Sequence, residues 1–239
     1  MKRIIYYLFI ILLISIIFIY KELKQNKEYE NTFKELSEII ENDNENNEDL
    51  EEKINLTKLY NLNNDFVGWI RIEDTNINYP VMQSKNNPNY YLKKDFYKKN
   101  SSYGTPYISE QCDINKSENL IIYGHHISGN KMFGELENYK SKEFYNNHSV
   151  IKFSTLEETH MYQIFAVFKT VVYNNSGFRY YDYIELENNQ AYTEFINKCN
   201  ELSLYQTNKE PIYKDKLITL STCEYSNKNG RLVIVAYEL

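Results

Sequence analysis

From Phe66 onward the chain is built of short β-branched and aromatic runs, and this pattern restricts it to a mainly β fold. The runs are Phe66–Ile72, Ile77–Met82, Leu120–Tyr123, Val150–Phe153, Met161–Phe168, Leu217–Leu220 and Leu232–Ala236. Regular helices do not alternate with them, so the expectation is an antiparallel barrel or sandwich and not a wound α/β sheet. One stretch departs from the pattern. Between Gln190 and Leu202, residues Tyr192, Phe195, Ile196, Cys199 and Leu202 recur on one helical face, which predicts a helix of about three turns. It lies in the connection before the Leu217 run.

Upstream of Phe66 the texture is helical. Ile4 to Tyr20 is an uncharged, apolar stretch of 17 residues, with Ser15 within it, between Lys2-Arg3 and Lys21. As a helix it is about 26 Å long, close to the thickness of a bilayer core. A cleaved signal peptide has a shorter apolar region ending in small residues, and nothing like Ala-x-Ala follows Tyr20. The expectation is a retained anchor. Basic residues flank both ends (Lys2 and Arg3 before, Lys21, Lys24 and Lys27 after), so their count does not set the orientation. The small N-terminal stub places the bulk of the chain outside. Phe33, Leu36, Ile39 and Ile40 recur at helical spacing, as do Leu50, Ile54, Leu56 and Leu59, with an acidic, Asn-rich break from Glu41 to Asp49. The expected layout is an anchor over 1–21, linker and helices over 22–60, and one domain over 61–239.

The net charge of −6 argues against nucleic acid as a partner, since phosphate binding needs a basic surface. Three cysteines, Cys112, Cys199 and Cys223, cannot form a closed disulfide set, so at least one thiol is free. Cys199 reads as a small apolar residue on its helix face. The chemistry concentrates at strand ends. Cys223 closes the Leu217 run, His125 and His126 close the Leu120 run, and Arg231 opens the run at Leu232. A lone cysteine in such a place is more often packed than reactive. Here its neighbours Ser221, Thr222 and Glu224 are polar, which suits an open strand end. A thiolate needs a base or positive charge nearby, and Arg231 supplies charge and donors for a developing oxyanion. Adjacent histidines on an extended strand point to opposite faces, so at most one faces Cys223. His148 and His160 add no metal-ligand spacing, and no metal is expected.

Taken together, Tyr123-Gly-His125-His126, the following Lys131-Met-Phe-Gly-Glu-Leu, and Thr219-Leu-Ser-Thr-Cys223 with Arg231 resemble a class B sortase. Phe66-Val-Gly-Trp-Ile and Tyr91-Leu92-x-x-Asp95-Phe96 do so too, and the resemblance covers about residues 60 to 239. It implies a membrane-anchored cysteine transpeptidase of Gram-positive cells, catalytic domain outside. The fold it implies is an eight-stranded β-barrel with N-terminal helices and one helix before the cysteine strand. His125, directly after Gly124, Cys223 and Arg231 match the family's catalytic residues. Leu92, Ser221, Thr222 and Glu224 lie where the family contacts its sorting peptide. The implied partners are a sorting-motif peptide of a secreted protein, a peptidoglycan cross-bridge amine and the membrane; no cofactor is implied. The implied reaction cuts at a Thr carbonyl, forms a thioester on Cys223 and passes the acyl group to the amine. Two other readings compete. In a papain-like cell-wall peptidase or amidase the cysteine precedes the histidine and opens a helix, the reverse of the order here. A non-enzymatic surface adhesin or scaffold would suit the many tyrosines.

Overall fold

The computed structural model describes residues 2–41, 48–173 and 177–239. Its elements are helices α1 (Lys2–Glu41) and α2 (Glu48–Leu62), strands β1 (Phe66–Arg71), β2 (Asn78–Met82), β3 (Tyr107–Ile108) and β4 (Asn119–Tyr123), and a small hairpin of β5 (His126–Ile127) and β6 (Lys131–Met132). After these come helix α3 (Lys142–Asn147), strands β7 (Val150–Ser154) and β8 (Thr159–Val171), helix α4 (Asn189–Leu202), and strands β9 (Leu217–Glu224) and β10 (Gly230–Glu238). Eight strands close into a barrel in the order β1-β2-β3-β4-β9-β10-β8-β7. Seven of them lie in the apolar runs of the sequence. The eighth, β3, is a two-residue strand with no run to announce it.

The barrel is mixed, where the sequence suggested antiparallel pairing throughout. β2–β3 and β4–β9 pair parallel, while the other barrel neighbours pair antiparallel. Parallel neighbours cannot be joined by a tight hairpin and need a crossover. From β4 to β9 the chain passes through the hairpin, β7, β8 and α4, long enough to re-enter in the same direction. α4 occupies the predicted place. Its Tyr192, Phe195, Ile196 and Cys199 are buried, and Asn188 caps it by accepting a hydrogen bond from the Ala191 amide (2.9 Å).

At the N-terminus the helical residues Phe33 to Ile40 belong to the same unbroken helix as the apolar stretch, a 40-residue α1. The stretch from Arg3 is long and apolar enough to cross a membrane. Phe33 and Leu36 are buried on the barrel side, with Leu56 and Leu59 of α2. Ile54, expected on that face, stays 48% exposed. Glu52 of α2 accepts from Lys152 (3.0 Å) and Ser154 (2.7 Å) of β7, so α2 is pinned to the barrel wall. Most of the acidic break after Glu41 lies outside the described residues. Both helices are thus part of one core. Leu36 is fully buried, so Leu36→Ala should cost about 2–5 kcal/mol in urea unfolding of the domain. A change no larger than that of an exposed control such as Glu38→Ala would show that α1 is not part of the core.

Candidate active site

Two strand pairings place the three chemistry-bearing residues. In the parallel pair β4–β9, Tyr123 lies beside Ser221, and the Gly124 amide continues the ladder by donating to the Ser221 carbonyl (3.1 Å). β4 ends at Tyr123, and His125 follows two residues later, while β9 runs on from Ser221 to Cys223. In the antiparallel pair β9–β10, Cys223 lies directly opposite Arg231. Opposite residues in such a pair project to the same face. Cys223 and Arg231 therefore form one row at the rim where β9 ends and β10 begins, and His125 lies just past the end of the neighbouring β4. Cys223 and Arg231 are both half-buried, and Arg231 is steadied by donating from Nη1 to the Gly230 carbonyl (2.8 Å).

One row deeper, the same face carries Tyr107, Tyr123 and Ser221. The Tyr107 and Tyr123 rings meet at 5.6 Å, and Tyr180, from the connection before α4, shares a 2.6 Å hydrogen bond with the Ser221 hydroxyl. Burial pushes the Tyr180 phenol up to about 12, against the pull of the Ser221 hydrogen bond and of Arg231. Nothing in the sequence singled out Tyr180. It sits in an irregular segment, and only the folded connection brings it over β9.

His125 is fixed by a second loop. Its Nε2 lies 2.6 Å from the carbonyl of Leu92, which can only accept, so Nε2 carries the proton and Nδ1 the lone pair. Leu92 belongs to the 3₁₀ turn Tyr90–Lys93 and is half-buried. Burial lowers the His125 pKa and Lys93 adds to this, partly offset by the Leu92 carbonyl, so the ring favours its neutral form. Two glycines permit the approach. A Cβ on Gly124 would meet the Phe133 ring at 2.5 Å, and Gly104, at φ +63°, brings its backbone against the Tyr91 and Leu92 carbonyls and the His125 ring.

His126 turns the other way, as alternation demands. Its Nδ1 reaches the Cys223 carbonyl (3.0 Å), Glu137 lies 3.7 Å from the same nitrogen, and the Tyr225 ring packs edge-on at 5.0 Å. Behind it, Glu137 pairs with Lys140 (2.5 Å), and Lys140 pairs with Glu224 (2.8 Å). Thr222 donates from Oγ1 to the Gly124 carbonyl (2.9 Å). The residues around the thiol are thus tied to fixed partners on both sides of the strand. Ser221, Thr222 and Glu224 are all buried, although the sequence suggested an open, solvated strand end. Their polar atoms are satisfied by protein partners, which is what allows them to be buried.

The other two thiols are packed. Cys112 and Cys199 are buried and burial pushes both thiols up, Cys112 to about 11. Among the described residues, no three His, Cys, Asp or Glu side chains converge as a metal site.

A closed mixed barrel bearing a half-exposed thiol opposite a guanidinium, with an imidazole just past the end of the adjoining strand, has the parts of a thiol-dependent acyl-transfer enzyme. Residues 70–239 match the Sortase domain family, and the chain belongs to the sortase family. It is 35% identical to sortase B of Staphylococcus aureus over 181 residues, covering 74% of this chain and 72% of that protein. It is 34% identical to sortase B of Listeria monocytogenes over 183 residues, covering 75% and 72%. The fold superposes on a Staphylococcus aureus sortase B–substrate complex with a TM-score of 0.77 at 30% identity, over 92% of this chain and 98% of that one. The protein is therefore a cysteine transpeptidase of the sortase kind, with its similarity on the sortase B side.

Glu224 gives this site a measurable signature. Burial pushes its carboxyl up, but hydrogen bonds from Lys140 and from the Ser226 hydroxyl and amide outweigh that and hold it at about 2. A carboxyl depressed in the folded state stabilises above its unfolded value of 4.5, and that stability is lost as pH falls toward about 2. At neutral pH the linkage is on the order of 3 kcal/mol. Glu224→Gln should therefore lower the urea midpoint at pH 7 and flatten its fall between about pH 4.5 and 2. An unchanged pH profile would show that the Glu224–Lys140 pair contributes nothing.

Proposed function

We propose that Cys223 is the nucleophile, His125 the proton carrier and Arg231 the oxyanion-stabilising group of this transpeptidase. The observation that carries the reading is the strand pairing: Cys223 lies opposite Arg231 across β9–β10, and β4, which pairs with β9, ends two residues before His125. In the reaction, Sγ of Cys223 attacks the carbonyl carbon of a threonine in a C-terminal sorting motif of a secreted protein. Negative charge develops on the carbonyl oxygen, where the Arg231 guanidinium and backbone amides stabilise it. The C–N bond to the next residue breaks, His125 passes to the departing amine the proton it took from the Cys223 thiol, and a thioester remains on Cys223. An amine of a peptidoglycan cross-bridge then attacks the thioester. Its proton passes to His125, an amide forms, and the thiol is released.

Because the Leu92 carbonyl holds the Nε2 proton, Nδ1 is the nitrogen through which His125 exchanges protons. The sorting peptide runs along the end of β9, flanked by Leu92, Ser221, Thr222 and Glu224. Ser221, Thr222 and Glu224 already have side-chain partners, so they serve the groove by fixing the strand that forms its wall. The similar Staphylococcus aureus protein was solved as a sortase B–substrate complex, which supports binding of a peptide substrate. The apolar part of α1 anchors the enzyme in the cell membrane, with its domain on the outer face.

The test is product analysis by mass spectrometry on the full chain in detergent. It uses peptides varied around a central threonine, with and without an added amine. The proposal predicts a peptide–amine product that depends on the amine. Cys223→Ala should abolish it, and His125→Gln should nearly do so. Arg231→Lys should lower kcat/KM roughly 10²–10³-fold, since a point charge does not replace a fixed fork of donors. Turnover surviving Cys223→Ala would sink the assignment, and hydrolysis alone in excess amine would make the enzyme a peptidase.

A further inference from the structure

The membrane helix and the catalytic domain are not joined by a tether. α1 runs without a break for 40 residues, and its contacts with the barrel begin almost where its apolar stretch ends. Ser102 donates to Gln25 (2.8 Å) and Tyr103 donates to Asn26 (3.1 Å). Lys131 bonds both Asn26 and Glu30, the latter at 3.1 Å. The Tyr29 ring stacks on Tyr103 at 4.6 Å and its hydroxyl meets that of Tyr79 at 2.8 Å. Higher up, Phe33 packs edge-on against Tyr79 (5.3 Å), and Tyr97 donates to Glu35 (3.1 Å). Six successive points over three helical turns leave the helix little freedom to pivot.

Heights follow from the helix itself. Gln25 lies five residues past Tyr20, about 7.5 Å along the axis at 1.5 Å per residue. The polar layer on each side of a bilayer core is about 5–8 Å deep. The loop hydrogen-bonded to Gln25 and Asn26 is therefore at headgroup height. It is built for that setting: Lys99, Asn100 and Ser102 are exposed and polar, and the Lys99 ammonium and Asn100 amide can donate to phosphate and ester oxygens.

We propose that the loop Lys99–Tyr103 lies in the lipid headgroup layer, with α1 acting as a rigid strut that holds the catalytic domain flat on the membrane. This rests on the reading of Ile4–Tyr20 as a membrane span. The contact is set by the helix and not by charge attraction. The adjoining turn mixes Lys21, Lys24 and Lys27 with Glu22 and Glu28, so salt should not release it. The consequence reaches the active site. The same connection that touches the headgroups also carries Leu92, whose carbonyl holds His125. The His125 side of the site is thus tied to the membrane-facing connection, so peptide and amine must be presented close to the membrane surface.

The test uses the full chain in lipid vesicles, with Cys223→Ala so that a single introduced cysteine takes a fluorophore; Cys112 and Cys199 are buried. Labels are placed at Ser102→Cys and, as a control on the same strut, at Glu38→Cys, eighteen residues or about 27 Å past Tyr20. Lipids with a nitroxide on the headgroup should quench most of the Ser102 signal and little of the Glu38 signal, equally in neutral and anionic vesicles and at low and high salt. A six-residue Gly-Ser insertion between Glu22 and Leu23 should drop quenching at Ser102 to the Glu38 level. Equal quenching at the two sites in vesicle-bound protein would overturn the proposal while leaving the anchor intact. Quenching unchanged by the insertion would overturn the strut. Protein stripped from vesicles by an alkaline wash would overturn the anchor and the proposal together.

Discussion

The parallel pairing of β4 with β9 is the constraint on which the site depends. The two strands are far apart in sequence, and only their pairing brings the end of β4, two residues before His125, beside the end of β9 that carries Cys223. A one-residue slip of β9 would turn every side chain to the opposite face. Cys223 would then point where Thr222 or Glu224 now packs. The register is held by more than the ladder. Thr219 donates to the Asn119 side chain (2.9 Å), Thr222 to the Gly124 carbonyl and Tyr180 shares its hydrogen bond with Ser221, so three polar side chains of β9 lock into unique partners. An apolar strand would offer no such discrimination between registers.

This also explains why a polar strand end is buried. A carboxylate as enclosed as Glu224 is tolerated only where paired and hydrogen-bonded, and removing one partner leaves an uncompensated charge. Lys140 and Ser226 provide that pairing, with Lys169 further off at 3.6 Å. Lys140 in turn engages Glu137, which lies beside the His126 that holds the Cys223 carbonyl. The two adjacent histidines find different partners: His125 is held by the Leu92 carbonyl, and His126 grips the Cys223 carbonyl.

Much of this was legible from residues in a line. The β runs, the α4 periodicity from Tyr192 to Cys199, and a thiol, imidazole and guanidinium at strand ends are local signals, and the structure carries each where its signal lies. What was not legible is what long-range pairing decides. β3 is two residues long, too short for any pattern. The parallel strand pairs depend on connections and not on composition. Glu137 and Lys140 look like an ordinary solvated i, i+3 pair until Glu224 arrives from 84 residues away. Tyr180 gains its place only when the connection folds over β9. The apolar stretch and the helical residues near Phe33 were each recognisable, but their fusion into one helix was hidden by the polar turns between them.

The central claim is that folding singles out one of three thiols for acyl transfer. Cys112 and Cys199 are sealed in the core, and Cys223 alone stands half-exposed on the rim row. The most direct measurement is peptide mapping of an acid-quenched reaction between the enzyme and a sorting peptide, before any amine is added. The account predicts a hydroxylamine-labile acyl group on Cys223 and on no other residue. An acyl group found elsewhere, or turnover with no acylated protein at all, would contradict it.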